Sequence, residues 1–340
     1  MKMGRVEKIV WTLILVVALA LFLKKVSPSI SEDGALAIRW WPGVDFSFLV
    51  YKDHVCADFI DDEEQTELVI PDRIWFKPVT EIRIAFCLML SPSLEKVEIG
   101  KYVERIGRDA FGSVRTLREV TGGENVKYID ESAFSMCEEL EYVEFGENLE
   151  YIGRQAFWCC GFESLATSDE LEHVGNSAFE DSSLKEIHIP DTLSDIGSMA
   201  FLNTPWLEKQ PADAEGFAIV GDGVLTRYDG TDSVIRIPEG VKNITYLYDN
   251  TYSDVEIYVP DTVTTIGAKL FENVEHMITF YIPASVTEIA RWFDKNMDEL
   301  IPTETNYRNL HIITTENSVA HQYALDRGIS FEIVEELPEY

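Results

Sequence analysis

Ile129-Asp130-Glu131-Ser132-Ala133-Phe134 returns as Ile152-Gly153-Arg154-Gln155-Ala156-Phe157, as Val174-Gly175-Asn176-Ser177-Ala178-Phe179 and as Ile196-Gly197-Ser198-Met199-Ala200-Phe201. The steps from Phe to Phe are 23, 22 and 22 residues. A phrase recurring at a period between about 20 and 50 residues marks units that cannot bury an apolar face alone and so stack on one another. The chain therefore reads as a solenoid, which grows by adding coils and not by enlarging one core.

Upstream, Phe86 and Phe111 continue the series toward Phe134 at steps of 25 and 23 residues, led by Ile82 and Ile106. A second phrase, Leu-x-x-Val-x-Ile, lies between the Phe positions: Leu94, Val97, Ile99; then Leu140, Val143, Phe145; then Leu184, Ile187, Ile189. Its alternating end has the period of a strand with one face inward. Coil by coil these strands predict a parallel ladder. Gly107, Gly153, Gly175 and Gly197 directly follow the apolar residue that leads each Phe, where a bend with positive φ or a close backbone approach favours Gly. Pro190, Pro238, Pro260 and Pro283 end the strands of later coils.

The boundaries follow from where this pattern starts, breaks and stops. Residues 40–66 read as a strand-rich cap, with strands at 46–51 and 55–60 and the acidic turn Asp61-Asp62-Glu63-Glu64. The solenoid is expected over residues 67–315, in about nine to ten coils of 22–25 residues joined by short turns or helical segments. It is interrupted near 205–232, where two apolar runs flank Gly221-Asp222-Gly223 as in a hairpin. The array resumes at Ile235 and Ile244, with Tyr248 in the Phe place 47 residues after Phe201. Residues 296–307 read as a polar loop. Residues 316–340 read as an end cap, a short helix over 318–327 stopped by Gly328 and then a strand.

At the other end, Lys2, Arg5 and Lys8 precede an uncharged run of 15 residues, opened by Ile9 and closed by Leu23, with Lys24 and Lys25 after it. A bilayer needs about 20 apolar residues, a gap that flanking Lys side chains reach across. Residues 1–26 thus read as a transmembrane signal-anchor or a cleaved signal peptide, and residues 27–39 as a spacer. Either reading places the body outside the cytoplasm.

Asp and Glu number 60 against 28 Lys and Arg, a net charge of -32. Such a surface repels phosphate backbones and argues against nucleic acid as partner. The five Cys fit no zinc spacing. Cys137 and Cys160, each three residues after a repeat Phe, read as buried thiols, with a disulfide as the alternative. No His pair, nucleophile context or phosphate loop appears. The chain reads as non-enzymatic, without metal or cofactor.

The phrase Ile152-Gly153-x-x-Ala156-Phe157-x-x-Cys160 with Leu165, and Ile187-x-Ile189-Pro190-x-x-Leu193-x-x-Ile196-Gly197, resemble the BspA-type leucine-rich repeats. Gly223-Val224-Leu225 leading into Ile237-Pro238-Glu239-Gly240-Val241 is similar to the family's interrupted repeat. The ending from Ser318 to Phe331 is similar to its last repeat. The pattern departs at Leu165-Ala166-Thr167-Ser168, Lys269-Leu270 and Arg291-Trp292. The resemblance implies a bacterial cell-surface or secreted protein that binds another protein, in adhesion or host-matrix contact. It brings no catalytic residues. A structural envelope spacer and a carbohydrate binder stay open beside it.

If the array binds, its exposed strand column does so, because each coil adds to the next. The candidates are Tyr142, Glu144, His188, Arg236, Tyr258 and Tyr281, with Glu186 and Glu256 beside them. Tyr246, Tyr248 and Tyr252 cluster at the break in register.

Overall fold

A computed structural model describes residues 29–30, 36–38, 46–60, 66–74, 76–83, 93–250, 253–267, 270–273, 276–290 and 309–338. The run of residues 9–23 lies outside them, as do Phe86, the acidic turn at 61–64 and the loop at 296–307. No helix among the described residues is long and apolar enough to cross a membrane. The chain divides into two compact units, Met1–Gly146 and Glu147–Tyr340.

The first unit opens on an antiparallel meander, Ser29–Ile30, Leu36–Ile38, Phe46–Val50 and Val55–Ile60. Its last strand pairs in parallel with Lys77–Ile82, and the ladder continues through Arg105–Ile106 to Tyr128–Ile129. A second parallel ladder joins Glu67–Val69, Lys96–Ile99, Glu119–Gly122 and Tyr142–Val143. Between the ladders Phe111 and Phe134 are fully buried and stack at 5.2 Å.

The second unit repeats the plan. Tyr151–Ile152, His173–Val174 and Asp195–Ile196 form one parallel ladder; Ser164–Leu165 and Glu186–Ile187 form the other. Phe157, Phe179 and Phe201 pile at 5.4 and 5.3 Å, nearly coplanar at 11° and 7°. Equivalent side chains lying over one another are what the period predicted within each unit. Burying each ring contributes roughly 1.5–3 kcal/mol.

At the corner after the leading Ile or Val, Gly serves close approach and not positive φ. A Cβ on Gly175 would sit 2.5 Å from the Arg154 amide nitrogen, because the Gly175 N–H donates to the Ile152 carbonyl at 2.7 Å. The left-handed bend of this corner falls two residues later, on residues that are not Gly. Asp109, Ser132, Gln155, Ser177 and Met199, each just before the repeat Ala, have φ of 53–56°. The left-handed bend turns their amides toward the next coil: Gln155 N–H donates to the Asn176 carbonyl at 2.9 Å, and Ser177 N–H to the Ser198 carbonyl at 2.9 Å. Hydrogen bonds thus hold coil to coil at the corner, where no strand runs.

A short helix, Pro205–Glu208, then replaces the next strand. Thr204 caps it, its hydroxyl accepting from Leu207 N–H at 3.2 Å, and Pro205 fits the first turn, where no amide is needed. Sequence reading missed this helix, although Thr204-Pro205 is its start signal. Trp206 lies 4.2 Å from Phe201 and closes the aromatic pile. Phe217–Val220 and Val224–Tyr228 follow as an antiparallel hairpin. Arg227 holds it to the helix by donating to the Leu207 carbonyl and, at 3.1 Å, to the Gln210 carbonyl.

Beyond the hairpin the strands lengthen. Val234–Arg236, Val255–Tyr258, Ile278–Ile282, Leu310–Thr315 and Ser330–Val334 make a five-stranded parallel sheet. Val224–Tyr228, Asn243–Ile244, Thr265–Ile266 and Glu288–Ile289 continue the short ladder. In the Phe place the coils carry the paired strands Tyr248–Asn250 and Phe271–Asn273. The helix Val319–Arg327 closes the unit, capped by Ser318, whose hydroxyl accepts from His321 N–H, and by Gly328 at φ 65°.

Cys137 and Cys160 are buried thiols: Cys137 donates to the Phe111 carbonyl at 3.2 Å, and Cys160 reaches the Trp158 carbonyl at 4.0 Å.

Candidate functional site

The five-stranded sheet of the second unit alternates cleanly. Ile235, Ile257, Phe280 and Ile312 point inward and are buried. The residues between them form two outward rows fixed by the parallel register. One row runs Val234, Glu256, Thr279, His311 and Ser330; the other runs Arg236, Tyr258, Tyr281, Ile313 and Glu332.

The second row carries three of the residues that sequence reading selected. The Arg236 guanidinium lies 4.9 Å over the Tyr258 ring, and Tyr258 stacks on Tyr281 at 4.1 Å and 5°. The Tyr258 hydroxyl donates to Glu256 Oε2 at 3.0 Å. Burial, followed by hydrogen bonds to Tyr281 and Glu256, holds the Tyr258 phenol well above its ordinary range, so it stays a neutral donor. Aromatic pairs and cation–π contacts of this kind each contribute about 0.5–1 kcal/mol, enough to hold the rings edge-fast without hiding them. Exposed Val234, at one end of the neighbouring row, widens the apolar area.

The other candidates stand apart. Tyr142 and Glu144 belong to the Met1–Gly146 unit, where the Tyr142 hydroxyl donates to Glu144 Oε2 at 3.2 Å and the ring is half exposed. Tyr142 shares its row with Glu119 and Lys96, which are ion-paired at 3.0 Å. His188 follows the strand Glu186–Ile187 and pairs with Asp169 Oδ1 at 2.8 Å. Tyr246 is buried; Tyr252 and the side chain of Tyr248 lie outside the described residues. Among the described residues no group of His, Cys, Asp and Glu could hold a metal ion.

Sequence reading overlooked a second column. The first residue of each short strand, just ahead of the apolar one, forms a polar column: Tyr151, His173 and Asp195 before the hairpin, Asn243, Thr265 and Glu288 after it, of which Asn243 alone is buried. All six line one cleft of about 470 Å³. Placing the coils one under another by the Ile or Val that leads each corner would have shown the column.

The model of the BspA type leucine rich repeat region matches residues 82–208 and 231–316, in six copies. No curated protein matches the chain. Among solved structures, a leucine rich cell surface protein from Faecalibacterium prausnitzii is similar at 18% identity and a TM-score of 0.41, covering 79% of this chain and 98% of that one. A leucine-rich repeat protein from Bacteroides ovatus is similar at 18% identity and a TM-score of 0.43, covering 81% and 70%. The pneumococcal vaccine antigen PcpA is similar at 12% identity and a TM-score of 0.38, covering 88% and 99%. With a phrase, a corner and a terminator repeating in order, and well over half its length matched, the chain belongs to the BspA-type leucine-rich repeat family.

Proposed function

We propose that this chain is a non-enzymatic binding module of a bacterial cell surface, held there by residues 9–23 or released after their cleavage, and that it captures another protein on the outward face of its long ladder. One observation carries the reading: Arg236, Tyr258 and Tyr281 stand in register as an aromatic column on the outward face of the sheet, with exposed Val234 in the neighbouring row. Tyr buries a large area at low entropic cost, and its tip bonds where its body packs, which suits contact surfaces. The Glu256 and Glu332 neighbours favour a partner with basic groups around an apolar patch.

A second reading rests on the same side chains. Tyr258 already has Arg236 on one side, Tyr281 on the other and Glu256 at its hydroxyl. A column so satisfied could serve the ladder's own stiffness, making the chain an envelope spacer. Capture of extracellular proteins by the full chain, set against a Tyr258→Ser/Tyr281→Ser double variant, separates the two. A partner whose affinity falls roughly 30-fold in the double variant supports the binding face. Equal capture by both forms, or none by either, refutes it.

A further inference from the structure

The cleft at the hairpin is a built feature. Elsewhere in the short ladder a strand carbonyl receives a backbone amide from the next coil: Val174 from Gly197 at 2.7 Å, Ile244 from Gly267 at 2.7 Å. The Ile196 carbonyl, last before the interruption, instead receives the side-chain amide of Asn243 at 2.8 Å. Asn243 is 8% exposed, and its Oδ1 is buried without a hydrogen-bond partner among the described residues. An acceptor held this way costs stability until a donor reaches it.

The walls are polar, and two of their charged side chains are paired within the protein. His173 Nδ1 meets Asp195 Oδ2 at 2.6 Å, and both carboxylate oxygens of Asp222 hold Lys242 Nζ at 2.7 Å. The Tyr151 ring stacks on His173 at 4.4 Å and 8°, giving one wall a flat aromatic surface. Glu288 and Thr265 stand opposite as exposed and half-buried hydrogen-bonding groups. Arg154 lines the cleft as well, but on a chain of net charge -32 the surrounding field disfavours phosphates and acidic ligands. Flat rings beside carboxylate, amide and hydroxyl groups match a ligand with an apolar C–H face and a rim of vicinal hydroxyls.

We propose that this cleft is a binding site for a neutral saccharide. It is separate from the ladder face and does not rest on the protein-binding reading. The test titrates the full chain with maltotriose, cellotriose and chitotriose, followed by calorimetry and by saturation-transfer NMR. At least one of the three binds with a millimolar or tighter Kd, and Asp195→Ala and Glu288→Ala each weaken it about tenfold or more. Both side chains are exposed, so the variants should keep the parent Tm, and Glu170→Ala, on an exposed turn, should bind as the parent does. The proposal is overturned if none of the three sugars binds, or if binding persists unchanged in Asp195→Ala and Glu288→Ala. Either failure would leave the ladder face, which the Tyr258→Ser/Tyr281→Ser variant reports on, still standing.

Discussion

The second unit piles aromatic rings twice, in opposite places. Before the hairpin, Phe157, Phe179 and Phe201 stack inside, fully or almost fully buried. After it, Tyr258 and Tyr281 stack at a similar spacing on the outside of the ladder. One period produces both, since any residue recurring at the repeat length meets its counterpart one coil away. What differs is the strand. Where strands are two residues long, the chain turns a corner and fills it with Phe; where they run four to six, the corner carries paired strands and the aromatics move to the face. Repetition decides that the rings stack, and burial decides whether they stabilise the fold or remain for a partner.

The sharpest way to break this comparison is to truncate one ring of each pile. Phe179→Ala removes a buried ring with stacked partners on both sides and should cost about 3–5 kcal/mol in urea denaturation. Tyr281→Ala should cost less than about 1 kcal/mol, because only one face of its ring and part of its area are lost. Equal losses would mean that the outer pile is core, and the binding reading would lose its support. Next in size is Gly175→Ala. Its methyl group would overlap the Arg154 amide, so the coils must part and about 2 kcal/mol should be lost in the same measurement.

Tyr228 in the hairpin tests how the insertion is seated. Burial, and after it the hydroxyl's bond to Asp232 Oδ2 at 3.1 Å, pushes its phenol up to about 12. In the unfolded chain the phenol titrates at about 10, so the folded state keeps the proton longer. Its contribution to stability is whole below about pH 10 and is lost as the pH climbs to about 12. Tyr228→Phe should therefore show a shallower fall in denaturation midpoint across that window; an identical fall would show that the phenol is not buried in solution.

Much of this was legible beforehand because a repeat writes each constraint many times. Ile-Gly-x-x-Ala-Phe gave the coils, and alternating Ile257, Val259 and Phe280, Ile282 gave the strands whose outward residues include Tyr258 and Tyr281. That those two would meet, with Arg236 over one of them, followed from register alone. The cleft was not legible, because it belongs to a single event. Asn243 is an ordinary polar residue by its neighbours. Only the Ile196 carbonyl, 47 residues earlier and with a paired strand on one side alone, gives its amide a task. The meander at residues 29–60 was visible in part, for Phe46–Val50 and Val55–Ile60, since alternation marks strands but not their partners.

Of the two causes offered for Gly at the corner, the structure bears out close approach, and where the positive φ falls instead gives the smallest and most specific test. Positive φ was one of two reasons offered for Gly at the corner, yet Gly175 does not have it and Gln155, two residues past Gly153, does, at φ 53°. An L-residue in that region costs about 1–2 kcal/mol, whereas Gly there costs about 0.5–1 kcal/mol of additional unfolded-chain entropy. Gln155→Gly should therefore stabilise the protein by about 0.5 kcal/mol, keeping the amide that donates to Asn176. Gln155→Val, with a branched Cβ in the same bend, should cost more than about 1 kcal/mol. A loss on Gln155→Gly would mean that the side chain holds the corner, and the left-handed bend would then be a consequence of the coil and not the device that links it to the next.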